Sequence, residues 1–344
     1  MASADTFRVT LQPSGHGYSA ASDVSLLQAA LDAGFALPYG CRNGACGSCK
    51  GKVLDGFVDH GTAQDSALSE TERAAGMALL CCASARSDVT LECREVGAAK
   101  DIPIRILPCR VQQLKRVAED VMILSLKLPT HERLQFLPGQ YIEFLLKEGK
   151  RRAFSIANAP ASSADEGCLQ LHIRHVEGGE FTGHVFNTLK EKDILRFQGP
   201  YGSFFLREES NKPILLVAGG TGFAPIKAIV EHAIQTRCRR PIELYWGARN
   251  RAGIYLHELA AHWATELTTL RYVPVLSAPA ANDSWTGRTG LVHEELMNDH
   301  PDLSGFQVYI CGAPAMVDAA RADFAKAGLP DDEYFADAFS FAGQ

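Results

Sequence analysis

Residues 39–53 read YGCRNGACGSCKGKV, a glycine-rich stretch that holds Cys41, Cys46 and Cys49 within nine positions. Cysteines spaced this closely form a disulfide clamp, a zinc site or an iron–sulfur site, and each would imply a different protein. The chain carries ten cysteines among 344 residues, a density too low for a disulfide scaffold. In a reducing compartment, thiols two or three residues apart are usually metal ligands or redox groups. The stretch therefore predicts a metal or redox centre.

The spacing Cys-x4-Cys-x2-Cys, followed much later by Cys81, resembles the loop of plant-type ferredoxins, in which four thiolates hold a 2Fe–2S cluster. A zinc site would instead need a second Cys-x2-Cys hook or histidine ligands, and neither accompanies this loop. The intervening glycines let backbone N–H groups approach the sulfurs. We therefore predict a 2Fe–2S cluster with four ligands, which are Cys41, Cys46, Cys49 and Cys81.

The fourth ligand has two adjacent candidates, because the stretch MALLCCAS contains both Cys81 and Cys82. This stretch resembles the ferredoxin pattern Gly-x-x-Leu-x-Cys, with Gly76 and Leu79 in place, and the resemblance selects Cys81. Cys82 is expected to be a small buried side chain.

Composition limits the class of protein. Apolar residues make up 46% of the chain and charged residues 22%, as in a soluble globular protein, and 344 residues suffice for two or three domains. The net charge of −6 argues against a nucleic-acid partner. No run approaches the ~18 apolar residues of a membrane helix. The opening residues lack the basic and apolar segments of a secretory signal, so we expect a cytoplasmic protein without a membrane partner.

The first domain is predicted over residues 1–96. TFRVTLQ and VTLECREV have strand patterns, and DVSLLQAALDAGF has the period of a helix that begins at Ser22 or Asp23. The residues expected on the buried face of this helix are Val24, Leu27, Ala30 and Leu31. The glycine- and proline-containing residues 97–103 are predicted to form a linker.

Two further domains are predicted beyond the linker. Residues 104–208 are mostly strands separated by proline and glycine, with a helix at GHVFNTLK, which is typical of an antiparallel β-barrel. Residues 209–344 alternate apolar strands with helices and predict a doubly wound α/β domain with a parallel sheet. The fold class is therefore a multidomain α+β and α/β chain.

The stretch RRAFSIAN in the predicted barrel resembles the Arg-x-Tyr-Ser motif of the ferredoxin–NADP reductase superfamily. The resemblance implies an FAD-binding barrel in which Arg152, Ala153, Phe154 and Ser155 contact the flavin. Arg152 would neutralise a phosphate, Phe154 would lie against the isoalloxazine, and Ser155 would hydrogen-bond its N5/O4 edge. Thr182, at the start of a predicted helix, would offer its N–H to the pyrophosphate. Phe154 lacks the hydroxyl of the superfamily's tyrosine.

The stretch LLVAGGTGFAPIKAI resembles the pyrophosphate loop of the same superfamily, where a glycine turn brings a phosphate to a helix N-terminus. The resemblance assigns nicotinamide-nucleotide binding to Gly219, Gly220, Thr221 and Gly222. A second match, Cys-Gly-x-Pro at Cys311 and Gly312, implies a thiol beside the nicotinamide. Cys311 and Ser155 are the residues predicted to be catalytic.

Two positions complete the predicted nicotinamide site. Arg249 follows the second strand of this domain and would contact the adenosine ribose or a 2′-phosphate, with NADH preferred over NADPH. Phe339 would shield the flavin on the nicotinamide side, and core packing of Phe339 and Phe341 is the alternative.

The order of these domains resembles the NADH-dependent reductase components of bacterial multicomponent oxygenases, which join a β-grasp 2Fe–2S ferredoxin domain to a ferredoxin–NADP reductase-like module. The sequence is also similar to CDP-6-deoxy-glucoseen reductases. The resemblance implies that hydride passes from NADH to FAD and that single electrons then leave through the cluster. The acceptor would be an oxygenase component or, alternatively, a sugar-deoxygenation dehydratase. A redox-sensing protein is a third possibility, and the plan is compatible with a monomer.

Overall fold

The computed structural model describes residues 4–96 and 102–339. The chain forms two compact units, the first ending at Ile102 and the second spanning Pro103–Phe339, and each is described by itself. Most of the predicted linker, residues 97–101, lies outside the described residues. Within the described ranges, no helix is both long and apolar enough to cross a membrane.

The first unit is a β-grasp fold. Its five-stranded sheet has the order β2-β1-β7-β3-β5, in which β1 and β7 are parallel and the other neighbours antiparallel. The elements are β1 (Thr6–Gln12), β2 (Gly17–Ala21), α1 (Leu26–Asp32), β3 (Lys50–Asp55), β4 (Val58–Asp59), α2 (Glu70–Ala74), β5 (Met77–Leu79), β6 (Ser84–Ala85) and β7 (Val89–Glu92).

Helix α1 begins later than the sequence indicated. Its N-cap is Ser25, whose hydroxyl accepts a hydrogen bond from the Gln28 N–H over 3.2 Å, so the expectation of Ser22 or Asp23 was wrong. Both expected caps are instead the central residues of a turn in which the Val24 N–H donates to the Ala21 carbonyl. The buried face shifts accordingly: Leu26, Leu27, Ala29 and Ala30 are buried, whereas Val24 and Leu31 are partly exposed.

The second unit begins with an antiparallel six-stranded barrel of strand order β11-β10-β13-β8-β9-β12. A bridge between Ile156 and Leu171 joins the two ends of this order. Helix α3 was not predicted, and α4 begins three residues before the predicted GHVFNTLK helix. The elements are β8 (Arg105–Ala118), β9 (Val121–Lys127), β10 (Tyr141–Leu145), β11 (Arg151–Ser155), α3 (Pro160–Glu166), β12 (Cys168–Arg174), α4 (Glu180–Asn187) and β13 (Ile194–Tyr201).

The same unit continues into a parallel six-stranded sheet of order β17-β16-β15-β14-β18-β19. Its central strands are buried on both faces, which explains why they read as continuous apolar runs. The elements are β14 (Ile214–Gly219), α5 (Phe223–Gln235), β15 (Ile242–Ala248), α6 (His257–Glu266), β16 (Leu270–Leu276), β17 (Arg288–Thr289), α7 (Val292–Asp299), β18 (Gln307–Gly312), α8 (Pro314–Lys326) and β19 (Tyr334–Ala338).

Two features of this sheet position the site. The strand order reverses at β14, between β15 and β18, and open α/β sheets bind ligands beyond the carboxyl ends of the strands at such a point. Strand β19, which the sequence indicated only as an aromatic tail, pairs in parallel with β18. The predicted boundary at residues 208 and 209 falls between β13 and β14 and remains a prediction.

Candidate functional site

The four cysteines predicted as cluster ligands interact in pairs in the first unit. The Cys41 and Cys46 thiols interact with each other, and the Cys41 N–H donates to Cys46 Sγ over 3.4 Å. The Cys49 and Cys81 thiols form a second interacting pair. Four cysteines hold the two irons of a 2Fe–2S cluster, two on each, so the paired arrangement fits this group.

The loop that carries these thiols supplies backbone donors to sulfur. The Cys46 thiol and the N–H groups of Asn43, Ala45 and Cys46 donate hydrogen bonds to the Cys41 sulfur. They would stabilise this sulfur as the thiolate, which is the form of cysteine that binds metal. No three His, Cys, Asp or Glu side chains of residues 4–96 and 102–339 are arranged to hold a metal ion. The fit therefore rests on the pairing of the thiols and on the shape of the loop.

Cys81 and Cys82 occupy different places relative to the loop. The Cys81 thiol contacts Cys49 and accepts a hydrogen bond from the Gly44 N–H. The Cys82 thiol contacts Cys81, with the two Sγ atoms 3.6 Å apart, and accepts from the Thr62 hydroxyl. Cys82 is only partly buried, whereas the sequence indicated a buried side chain.

The predicted flavin-binding residues lie on β11 and at the start of α4. The Phe154 and Phe181 ring centroids are 5.4 Å apart, which brings the first turn of α4 against β11. Arg152 is partly exposed and Ala153 is exposed. The Thr182 hydroxyl, in the first turn of α4, accepts a hydrogen bond from the Val176 N–H over 3.2 Å. A guanidinium beside a helix N-terminus suits an anionic phosphate, so these residues fit a flavin nucleotide.

The two residues predicted to be catalytic are joined by a third that the sequence did not indicate. The Ser155 hydroxyl donates to Asp337 Oδ2 over 3.4 Å, and the Cys311 thiol lies 3.9 Å from the same oxygen. All three residues are buried. Burial raises the pKa of Asp337 to about 6, with hydrogen bonds from Ser155 and Cys311 opposing the shift. Burial also raises the pKa of Cys311, which keeps its thiol protonated.

The predicted pyrophosphate loop lies between β14 and α5, next to the Cys311–Gly312 turn. A Cβ atom at Gly222 would lie 2.0 Å from the Cys311 carbonyl oxygen, so only glycine permits this approach. Gly220 has a φ of +54°, and its carbonyl accepts from the Trp246 indole N–H over 3.0 Å. The loop ends in the first turn of α5, where N–H groups suit a phosphate. It therefore fits a nicotinamide dinucleotide.

The remaining predicted residues lie at the same edge of the parallel sheet. Arg249 is exposed directly after β15. The Phe339 N–H donates to the Gly312 carbonyl over 2.9 Å, and its partly buried side chain packs against the apolar core of the sheet. Both expectations for Phe339 thus remain open, and Phe341 lies outside the described residues.

A buried ion pair near the site was also not indicated by the sequence. The Lys227 ammonium donates to the Ala157 carbonyl over 2.9 Å and to Glu231 over 2.5 Å, and Glu231 accepts from the Ala159 N–H. The pair links α5 to the segment that follows β11. Its sequence signal was a lysine and a glutamate four residues apart in a mostly apolar helix. For Asp337 the signal was a carboxylate inside an aromatic segment.

Comparison with known proteins agrees with this layout. Residues 9–86 match the family model of the 2Fe-2S iron-sulfur cluster binding domain, residues 108–206 that of the oxidoreductase FAD-binding domain, and residues 216–322 that of the oxidoreductase NAD-binding domain. The chain thus carries domains for a 2Fe–2S cluster, FAD and a nicotinamide nucleotide, and the predicted fold class is confirmed.

Several relatives match nearly the whole chain, among them the following three. The CDP-6-deoxy-L-threo-D-glycero-4-hexulose-3-dehydrase reductase of Yersinia pseudotuberculosis is 41% identical, over 97% of this chain and 98% of the relative. Terephthalate 1,2-dioxygenase reductase component 1 of a Comamonas species is 33% identical, over 97% of each chain. The crystal structure of Amycolatopsis cytochrome P450 reductase GcoB has a TM-score of 0.77 and 34% identity, over 98% of this chain and 100% of that chain.

Each of these relatives is named as a reductase, and together they cover the cluster loop, the barrel and the parallel sheet. The three-domain order predicted from the sequence is therefore the order of a known group of enzymes. The chain belongs to the family of iron–sulfur flavoprotein oxidoreductases that includes the reductase components of multicomponent oxygenases and the CDP-hexulose dehydrase reductases.

Proposed function

We propose that this chain is the NADH-dependent reductase of a multicomponent oxygenase, and that it delivers electrons from NADH through FAD and a 2Fe–2S cluster to the oxygenase component. The observation that carries the proposal is the contact of Ser155, on the flavin-domain strand β11, with Asp337, which also faces Cys311 at the end of β18. This contact joins the flavin-binding and nicotinamide-binding parts at one buried point.

The flavin side of the proposal assigns a role to each residue of β11. When bound, FAD accepts a hydride from NADH and releases electrons singly to the 2Fe–2S cluster. Arg152 and the N-terminus of α4, at Thr182, hold the flavin phosphates. Ala153 and Phe154 line the flavin, and Phe154 is held by the Phe181 ring. The Ser155 hydroxyl, oriented by Asp337, hydrogen-bonds the reactive edge of the ring system.

On the nicotinamide side, the loop of Gly219, Gly220, Thr221 and Gly222 holds the pyrophosphate. Arg249 contacts the adenosine ribose. Gly312 lets the nicotinamide approach, and the Cys311 thiol orients it toward the flavin. Phe339, anchored to Gly312 through its backbone, covers the flavin from this side. A single exposed arginine can bind a ribose as well as a 2′-phosphate, so we assign NADH as the substrate on the resemblance to NADH-dependent reductases of this domain order.

The cluster side of the proposal rests on the paired thiols. Cys41 and Cys46 hold one iron, and Cys49 and Cys81 hold the other. Cys81 is assigned over Cys82 because the Cys81 thiol contacts Cys49.

We propose that the acceptor protein docks near residues 41–49. We further propose a monomer. We place it in the cytoplasm, where a reducing environment keeps the cysteines outside the ligand set as thiols.

A second candidate function has a specific observation in its favour. The relative at 41% identity is named as a reductase of a CDP-hexulose dehydrase, whereas the terephthalate dioxygenase reductase is 33% identical. The alternative acceptor is therefore a sugar-deoxygenation dehydratase. Reconstitution with a purified oxygenase component and, separately, with such a dehydratase decides between the two. Product formation with the dehydratase alone would overturn the oxygenase assignment.

The electron route has its own test. An anaerobic titration followed by visible absorption should bleach FAD and the cluster with NADH, and far less readily with NADPH. Cys46→Ser should abolish cytochrome c reduction and leave NADH-driven ferricyanide reduction intact. Cys311→Ala should slow flavin reduction while the iron content stays normal. Survival of cytochrome c reduction in Cys46→Ser would remove the cluster from the route.

A further inference from the structure

The thiol of Cys82 lies against the predicted cluster ligand Cys81 and has no assigned role. The two Sγ atoms are 3.6 Å apart, within the range of a sulfur hydrogen bond. Either thiol could donate in the free protein. A ligand cysteine is a thiolate and has no proton to give, so once Cys81 binds iron only Cys82 can donate.

The surroundings of Cys82 hold its thiol in this position. The Thr62 hydroxyl donates to Cys82 Sγ over 3.7 Å, so a chain of donors runs from Thr62 through Cys82 to Cys81. A Cβ atom at Gly44 would lie 2.7 Å from Cys82 Sγ, which means that the thiol fills the space above this glycine of the cluster loop. The Gly44 N–H donates to the same Cys81 sulfur.

We propose that Cys82 is a positioning residue that donates an S–H hydrogen bond to the Cys81 thiolate and thereby raises the reduction potential of the cluster. The inference rests on the proposed function, because it takes Cys81 as the fourth ligand. The reduced cluster carries one more negative charge than the oxidised one, so a donor to a ligand sulfur stabilises the reduced form more. The Thr62 hydroxyl strengthens the donor, as successive hydrogen bonds polarise one another.

The test compares Cys82→Ala, Cys82→Ser, Thr62→Val and, as the ligand control, Cys81→Ala in the full chain loaded with FAD and cluster. Iron and acid-labile sulfide per chain, the EPR spectrum of the reduced cluster and its midpoint potential in a dye-mediated redox titration are measured. Cys82→Ala should keep its iron and show a more negative potential. Cys82→Ser should shift less, because its hydroxyl still donates. Thr62→Val should shift in the same direction by a smaller amount. FAD content is the control for the second unit, and an unchanged EPR line shape of the reduced cluster is the control for the fold of the first.

Two outcomes overturn the inference or its premise, and Thr62→Val decides a third. If Cys82→Ala holds the cluster at the native potential while Cys81→Ala loses its iron, the hydrogen bond has no effect on the potential. If Cys82→Ala loses its iron while Cys81→Ala keeps it, Cys82 is the ligand and the proposed ligand set is wrong instead. Should both alanine variants lose their iron, Thr62→Val decides: a negative shift supports the proposal, and an unchanged potential overturns it.

Discussion

Cys311 and Asp337 lie directly opposite each other on the neighbouring parallel strands β18 and β19, with Sγ 3.9 Å from Oδ2. The same carboxylate oxygen accepts a hydrogen bond from Ser155, which belongs to the barrel. One buried carboxyl group therefore sets the orientation of both side chains predicted to be catalytic. The last strand of the sheet thus contributes a residue to the candidate site.

Replacing Asp337 by asparagine should slow flavin reduction by NADH roughly 10- to 100-fold, near the lower end of what a positioned acid or base contributes. The amide keeps the shape of the side chain and removes its charge, so Ser155 and Cys311 lose their shared anionic acceptor. Stopped-flow absorption at saturating NADH measures the rate. Asp331→Asn, at an exposed position just before β19, is the control and should react at the native rate. A native rate in Asp337→Asn would contradict the role of the carboxyl group.

The raised pKa of Asp337 also predicts a pH dependence of stability. Burial raises this pKa from 3.8 to about 6. A raised carboxyl pKa means that the protonated form favours folding, so the contribution is full below pH ~4 and is lost as the pH rises through about 6. The loss amounts to at most about 3 kcal/mol. Relative to Asp337→Asn, the wild type should therefore become less stable between about pH 4 and pH 6.

Urea denaturation in the absence of FAD measures this difference. All three tryptophans, Trp246, Trp263 and Trp285, belong to the α/β part of the second unit, so their fluorescence reports on the part that contains Asp337. Parallel stability curves for the two proteins across this pH range would mean that Asp337 titrates normally in the folded state.

The sequence predicted features that are encoded locally. The cysteine spacing, the β11 motif and the glycine loop each occupy a few consecutive residues, and their positions follow from short-range geometry. Asp337 could not be found this way, because its partner Cys311 is 26 residues away and only the register of β19 on β18 brings the two together. The burial of Cys82 was also predicted wrongly, because it depends on residues distant in sequence. Its thiol lies against Gly44 and Thr62, which belong to a separate loop. The predicted start of α1 was wrong for a local reason: residues 22–25 contain three side chains that can cap a helix, and the sequence pattern does not distinguish between them.

Breaking the ion pair between Lys227 and Glu231 should destabilise the second unit. The Lys227 side chain is 7% exposed, and its ammonium is bound by Glu231 and by the Ala157 carbonyl. Lys227→Met leaves a mostly buried carboxylate without its partner, which should cost about 3 kcal/mol. Adding Glu231→Leu should restore much of this loss, because the uncompensated charge is removed.

Tryptophan fluorescence during urea denaturation also measures this change. The control is Lys326→Met, which removes a 77% exposed ammonium paired with Asp323 and should change stability by no more than about 0.5 kcal/mol. Equal effects of Lys227→Met and Lys326→Met would show that the buried pair contributes no more than a surface pair.

Gly44 should be essential for cluster assembly for two reasons. Its backbone angle disfavours other residues, and the Cys82 thiol occupies the space that a side chain would need. Its φ is +79°, and an added Cβ would lie 2.7 Å from Cys82 Sγ and 3.1 Å from the Thr62 carbonyl oxygen. Gly34 has a similar φ of +85° but nothing within 4 Å of its Cβ position. Both alanine variants incur the backbone cost of about 1 kcal/mol, and only Gly44→Ala also displaces the cluster loop. Gly44→Ala should therefore lose most of its iron while Gly34→Ala retains it, as measured by iron per chain and visible absorption. Equal iron loss in both variants would show that only the backbone angle of Gly44 matters. Full iron in Gly44→Ala would show that the loop accommodates a methyl group beside Cys82.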